Sequence, residues 1–67
     1  MIEATINGES REIPENLTLR ELLRHLKLSE ERVAIERNRQ IVRREEWESI
    51  RVEAGDQLEV VHFVGGG

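Results

Sequence analysis

Apolar and polar residues alternate from the first positions of the chain. Ile2, Ala4 and Ile6 stand against Glu3, Thr5 and Asn7. A period of two predicts a half-buried strand. Asn7-Gly8 follows, the strongest short hairpin signal, because both central residues of the favoured two-residue turn need positive φ. Residues 9 to 13 then form the returning antiparallel strand. Its apolar content is low, which predicts a sheet edge, and Pro14 ends it because proline has no N–H to give to the ladder. Beyond Pro14 the period changes. Leu19, Leu22, Leu23 and Leu26 recur at helical spacing and make one apolar stripe. Thr18, with Glu21 three residues later, forms a capping box, and Leu17 ahead of the cap is placed to staple onto Leu22. The spacing predicts a helix over residues 19–27. Leu28 is expected to plug its end, and Ser29-Glu30-Glu31 to turn the chain.

The second half returns to strands. Val33, Ala34 and Ile35 open a third strand that Glu36 and Arg37 extend, Asn38-Arg39 is a tight turn, and Gln40, Ile41 and Val42 form a short fourth strand. Glu45-Glu46-Trp47 predicts a single helical turn, with Trp47 sealing the bottom of the core. Ile50 and Val52 lead on to a turn at Gly55-Asp56 and a last strand over residues 57–64. This order predicts an α+β layer pair, a mixed sheet of four to five strands with one main helix packed on one face. In the last strand Leu58 and Val60 share the helix-facing side, and Glu59, Val61 and Phe63 share the other. One helix covers one face only, so Val61 and Phe63 are expected in solvent beside Thr5. Single exposed apolar side chains are ordinary, whereas a cluster marks a docking surface. Val61, Phe63 and Val64 are the candidate docking residues.

Sixty-seven residues make one small domain, expected to span residues 1–64, with Gly65, Gly66 and Gly67 as a flexible tail outside it. The net charge of −4, with 36% charged residues, argues against a phosphate-backbone binder, so no nucleic-acid partner is expected. The chain has no cysteine, which removes disulfides, thiolate metal sites and a cysteine nucleophile. The first residues lack a basic segment followed by an apolar core, and no apolar run approaches the roughly 20 residues that cross a bilayer. The expectation is a cytoplasmic protein without a membrane partner, monomeric when free.

Catalytic chemistry is sparse. Neither His25 nor His62 has a partner at ligand spacing, so no metal site is expected. Ser10 and Ser29 have no activating base nearby, and Glu30-Glu31 and Glu45-Glu46 read as solvated turns. The glycine run is not a phosphate loop, because no helix start and no Lys-Ser/Thr follow it. The chain is therefore expected to be no enzyme and to bind no cofactor itself. One distinctive group remains, the α-carboxylate of Gly67 at the tip of a thin peptide. Without a Cβ on the last residues, that tip can thread a narrow active site on another protein. There a carboxylate activated by adenylation with ATP becomes open to displacement by a sulfide, thiol or amine. The plainer reading is a frayed terminus or linker.

Several features taken together resemble ThiS, the thiamine-biosynthesis sulfur-carrier family. They are Asn7-Gly8 after the first strand, Leu19-x-x-Leu22-Leu23 in the helix, and Asn38 before Gln40-Ile41-Val42. To these are added Arg44-Glu45-Glu46-Trp47, Gly55-Asp56 and the terminal Phe63-Val64-Gly65-Gly66-Gly67. The likeness covers the whole chain. It departs from the family at Arg43, where many members have proline, and at Arg37 and Arg39, which make the turn around Asn38 more basic than usual.

The resemblance implies a ubiquitin-like β-grasp fold. It implies that a ThiF-type adenylyltransferase uses ATP to adenylate the Gly67 carboxylate, with Gly65 and Gly66 threading the tail. It further implies conversion to a thiocarboxylate, with sulfur from a donor such as a cysteine desulfurase, and delivery to thiazole synthase (ThiG). Three alternatives share parts of this pattern: a sulfur carrier for molybdopterin or another pathway, a ubiquitin-like protein modifier, and a β-grasp interaction module whose glycine end is incidental.

Overall fold

The structure, a computed structural model, describes residues 1–63. Strand β1 (Ile2–Ile6) turns through Asn7 and Gly8, both at positive φ (52° and 83°), into β2 (Glu9–Ile13). Helix α1 (Leu19–His25) follows, then β3 (Val33–Arg37), β4 (Gln40–Val42), a 3₁₀ turn at Arg44–Glu46, and β5 (Gln57–His62). The sheet order is β2-β1-β5-β3-β4. β1 runs parallel to β5, and the other neighbouring pairs are antiparallel. The last strand in sequence thus lies in the middle of the sheet, and the polar β2 lies at an edge, as its composition predicts.

The capping box forms as the sequence predicts. Thr18 Oγ1 accepts from the Glu21 N–H at 3.1 Å, and Glu21 Oε1 accepts from the Thr18 N–H at 2.9 Å. That second bond favours the ionised carboxylate and holds Glu21 below the usual carboxylate range. The helix is two residues shorter than the spacing predicts. Lys27 adopts a left-handed conformation (φ 61°), and its N–H bonds the Arg24 carbonyl. The Leu28 N–H then reaches back to the Leu23 carbonyl at 2.9 Å, closing the helix in the manner of a left-handed C-terminal cap. Leu28 plugs the end, half-buried against the core.

Leu19, Leu22 and Leu23 are fully buried on the sheet, each contributing about 1.5–3 kcal/mol of hydrophobic stabilisation. They share one core with Ala4, Ile6, Ile35, Leu58 and Val60, and Ile13, Val33, Val42, Trp47 and Val52 complete it. Trp47 seals the bottom, as expected. Its Nε1 donates to the Val42 carbonyl at 3.2 Å, and the Arg44 guanidinium lies 4.8 Å above its ring.

One expected solvated turn is a structural joint instead. The half-buried Glu30 carboxylate faces Arg20 Nε at 3.5 Å and Arg24 Nε at 3.7 Å, tying the segment before β3 to the helix. Sequence spacing within the turn gives no sign of this, because its partners lie on the preceding helix.

Candidate functional site

The site is assembled at the end of β5 from which the chain leaves toward its C-terminus. β1 stops short of this end. The Thr5↔Gln57 and Ile6↔Leu58 pairs exhaust its register, and Asn7 takes over. The Asn7 N–H donates to the Leu58 carbonyl at 2.9 Å, its Oδ1 accepts from the Val60 N–H at 2.8 Å, and its Nδ2 donates to the Val60 carbonyl at 3.3 Å. On the other side β3 follows β5 further, with Val33 opposite His62, and the Phe63 N–H donates to the Arg32 carbonyl at 2.7 Å. The exit is therefore anchored on both flanks.

Leu58 and Val60 point into the core, and Val61 and Phe63 stand on the uncovered face, 49% and 58% exposed. This agrees with the alternation in the sequence. Val61 faces Ala34 across the β3–β5 ladder. One row further from the exit, Glu36 stands opposite Glu59, and on its other side opposite Ile41 of β4. Ile41 is 72% exposed. A shallow depression of about 310 Å³ lies beside this row, bordered by Thr5, Glu36, Arg39, Gln57 and Glu59. The Glu36–Glu59 juxtaposition and the exposure of Ile41 are absent from the sequence reading. Alternation places each residue on a face, but it does not say which strands are neighbours.

The opposite end of β5 is locked. Asp56 accepts from Arg37 Nε at 2.9 Å, from Asn38 Nδ2 at 3.2 Å and from the Glu53 N–H at 2.9 Å. Burial pushes its carboxyl up, but these donors outweigh that and hold it below the usual carboxylate range. Asn38 completes the lock, accepting from the Gln57 N–H and donating its own N–H to the Gln57 carbonyl. The basic Arg37-Asn38-Arg39 turn is thus tied to the Gly55-Asp56 turn. A second cavity, about 230 Å³ between the helix and the Glu48 segment, is bridged by the Arg20–Glu48 ion pair at 3.1 Å.

Among the described residues no group of three or more His, Asp or Glu side chains is placed to hold a metal ion. His25 and His62 are both exposed. Among the described residues no helix is long and apolar enough to cross a membrane. Val64, Gly65, Gly66 and Gly67, with the expected boundary between domain and tail, lie outside the described residues.

A mixed five-stranded sheet wrapped on one helix, with its central last strand running out at an open face, is a ubiquitin-like β-grasp architecture. Within that class, the chain belongs to the ThiS family, whose model it matches over residues 4–67. It is 38% identical over 50 residues to the sulfur carrier protein ThiS of Bacillus subtilis, covering 75% of this chain and 76% of that one. It is 39% identical over 66 residues, 98% of its length, to a thiazole synthase of Paramagnetospirillum magneticum. A thiazole synthase of Magnetococcus marinus is 42% identical over 62 residues, 92% of this chain. The chain spans only 20% and 19% of these two synthases. The crystal structure of the thiamine biosynthesis protein ThiS from Geobacter metallireducens superposes with a TM-score of 0.86 at 35% identity, covering 98% of this chain and all of that one.

Proposed function

We propose that this chain is a sulfur carrier for thiazole formation in thiamine biosynthesis, a substrate of other enzymes and not a catalyst. In this reading the Gly67 carboxylate attacks the α-phosphorus of ATP on a ThiF-type adenylyltransferase, and pyrophosphate leaves. A sulfide equivalent then attacks the acyl carbon. AMP leaves with the bonding electrons of the C–O bond, and the C-terminus becomes a thiocarboxylate. Where the donor is a cysteine desulfurase, its persulfide sulfur first forms an acyl disulfide with the C-terminus, and a thiol reductant cleaves the S–S bond with two electrons. Gly65 and Gly66 give the tail the slenderness to enter both active sites.

The observation that carries the reading is the family match, which continues through Gly67. The resemblance to a protein named sulfur carrier ThiS supports the chemistry. The resemblance to segments of two thiazole synthases supports thiazole synthase (ThiG) as the acceptor over the molybdopterin and protein-modifier alternatives. Anchoring of β5 up to Phe63 supports a rigid platform from which a tail is presented.

Intact mass spectrometry tests it. The protein is incubated with ATP, sulfide and a ThiF-type enzyme of demonstrated activity on another carrier. A mass gain equal to the difference between sulfur and oxygen, mapped to the C-terminal peptide, is the expected result. An unchanged mass overturns the reading.

A further inference from the structure

Two of the cross-strand pairs on the uncovered face are glutamate opposite glutamate: Glu3 with Glu12, and Glu36 with Glu59. Side chains directly opposite each other stand about 4.5–5.5 Å apart at Cβ, and like charges placed so destabilise the sheet. The two pairs differ in what surrounds them. Glu3 accepts from the Ser10 hydroxyl at 2.6 Å. Among the described residues neither Glu36 nor Glu59 has an ion pair within 4.0 Å or a side-chain hydrogen bond. The uncovered positions of the strands carry no lysine or arginine, because Arg11 pairs with Ala4 and Arg37 with Leu58 on the helix-facing register. Arg39 borders the depression beside the pair and makes no ion pair within 4.0 Å with either carboxylate.

This uncompensated pair adjoins the apolar row of Val61 and Ala34 on one side and Ile41 on the other. Four residues separate Phe63 from the end of Gly67. At full extension they span about 13–14 Å. An enzyme that holds the Gly67 carboxylate therefore lies against this end of the sheet. Charge complementarity says what it presents there.

We propose that the adenylating partner docks on this face through a basic side chain that bridges Glu36 and Glu59, with Val61 and Phe63 seated on an apolar surface beside it. An arginine suits the gap best, since its planar fork offers five donors to two carboxylates at once. The proposal rests on the carrier reading for the identity of the partner. It adds how that partner is recognised, and it assigns Glu36 and Glu59 a role in binding that works against the stability of the free protein.

The test compares the E36Q/E59Q double variant with the wild type and with an E3Q/E12Q control. Melting temperature is measured for each, as is affinity for a ThiF-type enzyme across a salt series. E36Q/E59Q is expected to melt no lower than the wild type, and its association is expected to slow by about tenfold at low salt. Its dependence on salt should flatten, while E3Q/E12Q binds nearly as the wild type does. Unchanged affinity and salt dependence in E36Q/E59Q overturns the proposal, as does an equal loss in both double variants, which makes the effect one of net charge. Absence of wild-type binding also overturns it. The two readings fail separately. A wild type that gains sulfur while E36Q/E59Q binds normally removes only the docking proposal. A wild type that binds through the pair but gains no sulfur removes only the carrier reading.

Discussion

The Asn7 side chain pairs with Val60 as a strand residue would, accepting from its N–H at 2.8 Å and donating to its carbonyl at 3.3 Å. A residue chosen for a positive-φ turn thus also finishes the ladder where β1 ends. Asn7→Gly keeps the φ of 52° comfortable but deletes the amide, leaving both backbone groups of Val60 to find other partners. Leaving a buried group without a partner costs about 1–3 kcal/mol. Because this site is only part-buried, urea denaturation should show a loss near the lower end of that range. Hydrogen exchange at the Val60 amide, which loses its acceptor, should speed up more than exchange at the residue 7 amide, which still donates to the Leu58 carbonyl. Unaltered Val60 protection would mean that the side chain merely accompanies the turn.

Asp56 makes stability depend on acid. Its folded carboxyl titrates below its unfolded value of about 3.9, so the unfolded chain binds the proton first. The stabilisation is therefore complete above the unfolded value and is lost as pH falls through the lower folded value. Asp56→Asn removes this dependence, along with the ion pair to Arg37. Melting curves from neutral pH down to about 2 should show the variant less stable at neutrality, with the gap narrowing below the ordinary aspartate range. A gap constant with pH would assign the loss to geometry alone.

Phe63 is 58% exposed, and its backbone N–H donates to the Arg32 carbonyl. Phe63→Ala should change stability by no more than about 0.5 kcal/mol, as exposed substitutions do, while weakening capture by a ThiF-type enzyme. A loss of about 3 kcal/mol or more would instead indicate a buried phenylalanine.

Arg43, where the resemblance leads one to expect proline, has a backbone of proline-like shape. Its φ of −69° and ψ of 146° are values proline holds by itself, and Val42 before it is extended, as a residue preceding proline must be. Ile35 and Val42 form the last β3–β4 pair. Val60 directs its N–H and carbonyl to Asn7, so Ile35 opposite it turns its own groups toward Val42. By the same alternation the Arg43 N–H points away from the ladder. Arg43→Pro is expected to raise stability by about 0.4–1 kcal/mol. The exposed Arg43–Glu45 pair that it removes is worth little. A drop in melting temperature would reveal a bond to that N–H.

The local elements were legible because each carries its own chemistry. Asn7-Gly8 specifies its turn, Thr18 and Glu21 specify the helix start, and alternation in β5 puts Leu58 inside and Val61 outside. Features that depend on which strands neighbour each other were not. The Glu36–Glu59 opposition requires β3 beside β5, across 23 residues of sequence, and the hold of Glu30 on Arg20 and Arg24 requires the return of the chain over the helix. The helix end was misplaced because lysine is an ordinary helix former, and nothing in its identity announces the left-handed conformation of Lys27. The docking face was half visible. Val61 and Phe63 could be placed from one strand, whereas the Glu36–Glu59 pair required two.

The placement of β5 between β1 and β3 also has a mechanical meaning. A force applied at its exit runs along the strand, so the ladders on both sides and the Asn7–Val60 clamp are loaded together in shear rather than opened one bond at a time. On the proposed function, tension applied by an enzyme at the terminus would be spread across the middle of the sheet, with the last strand serving as the handle by which the domain is held.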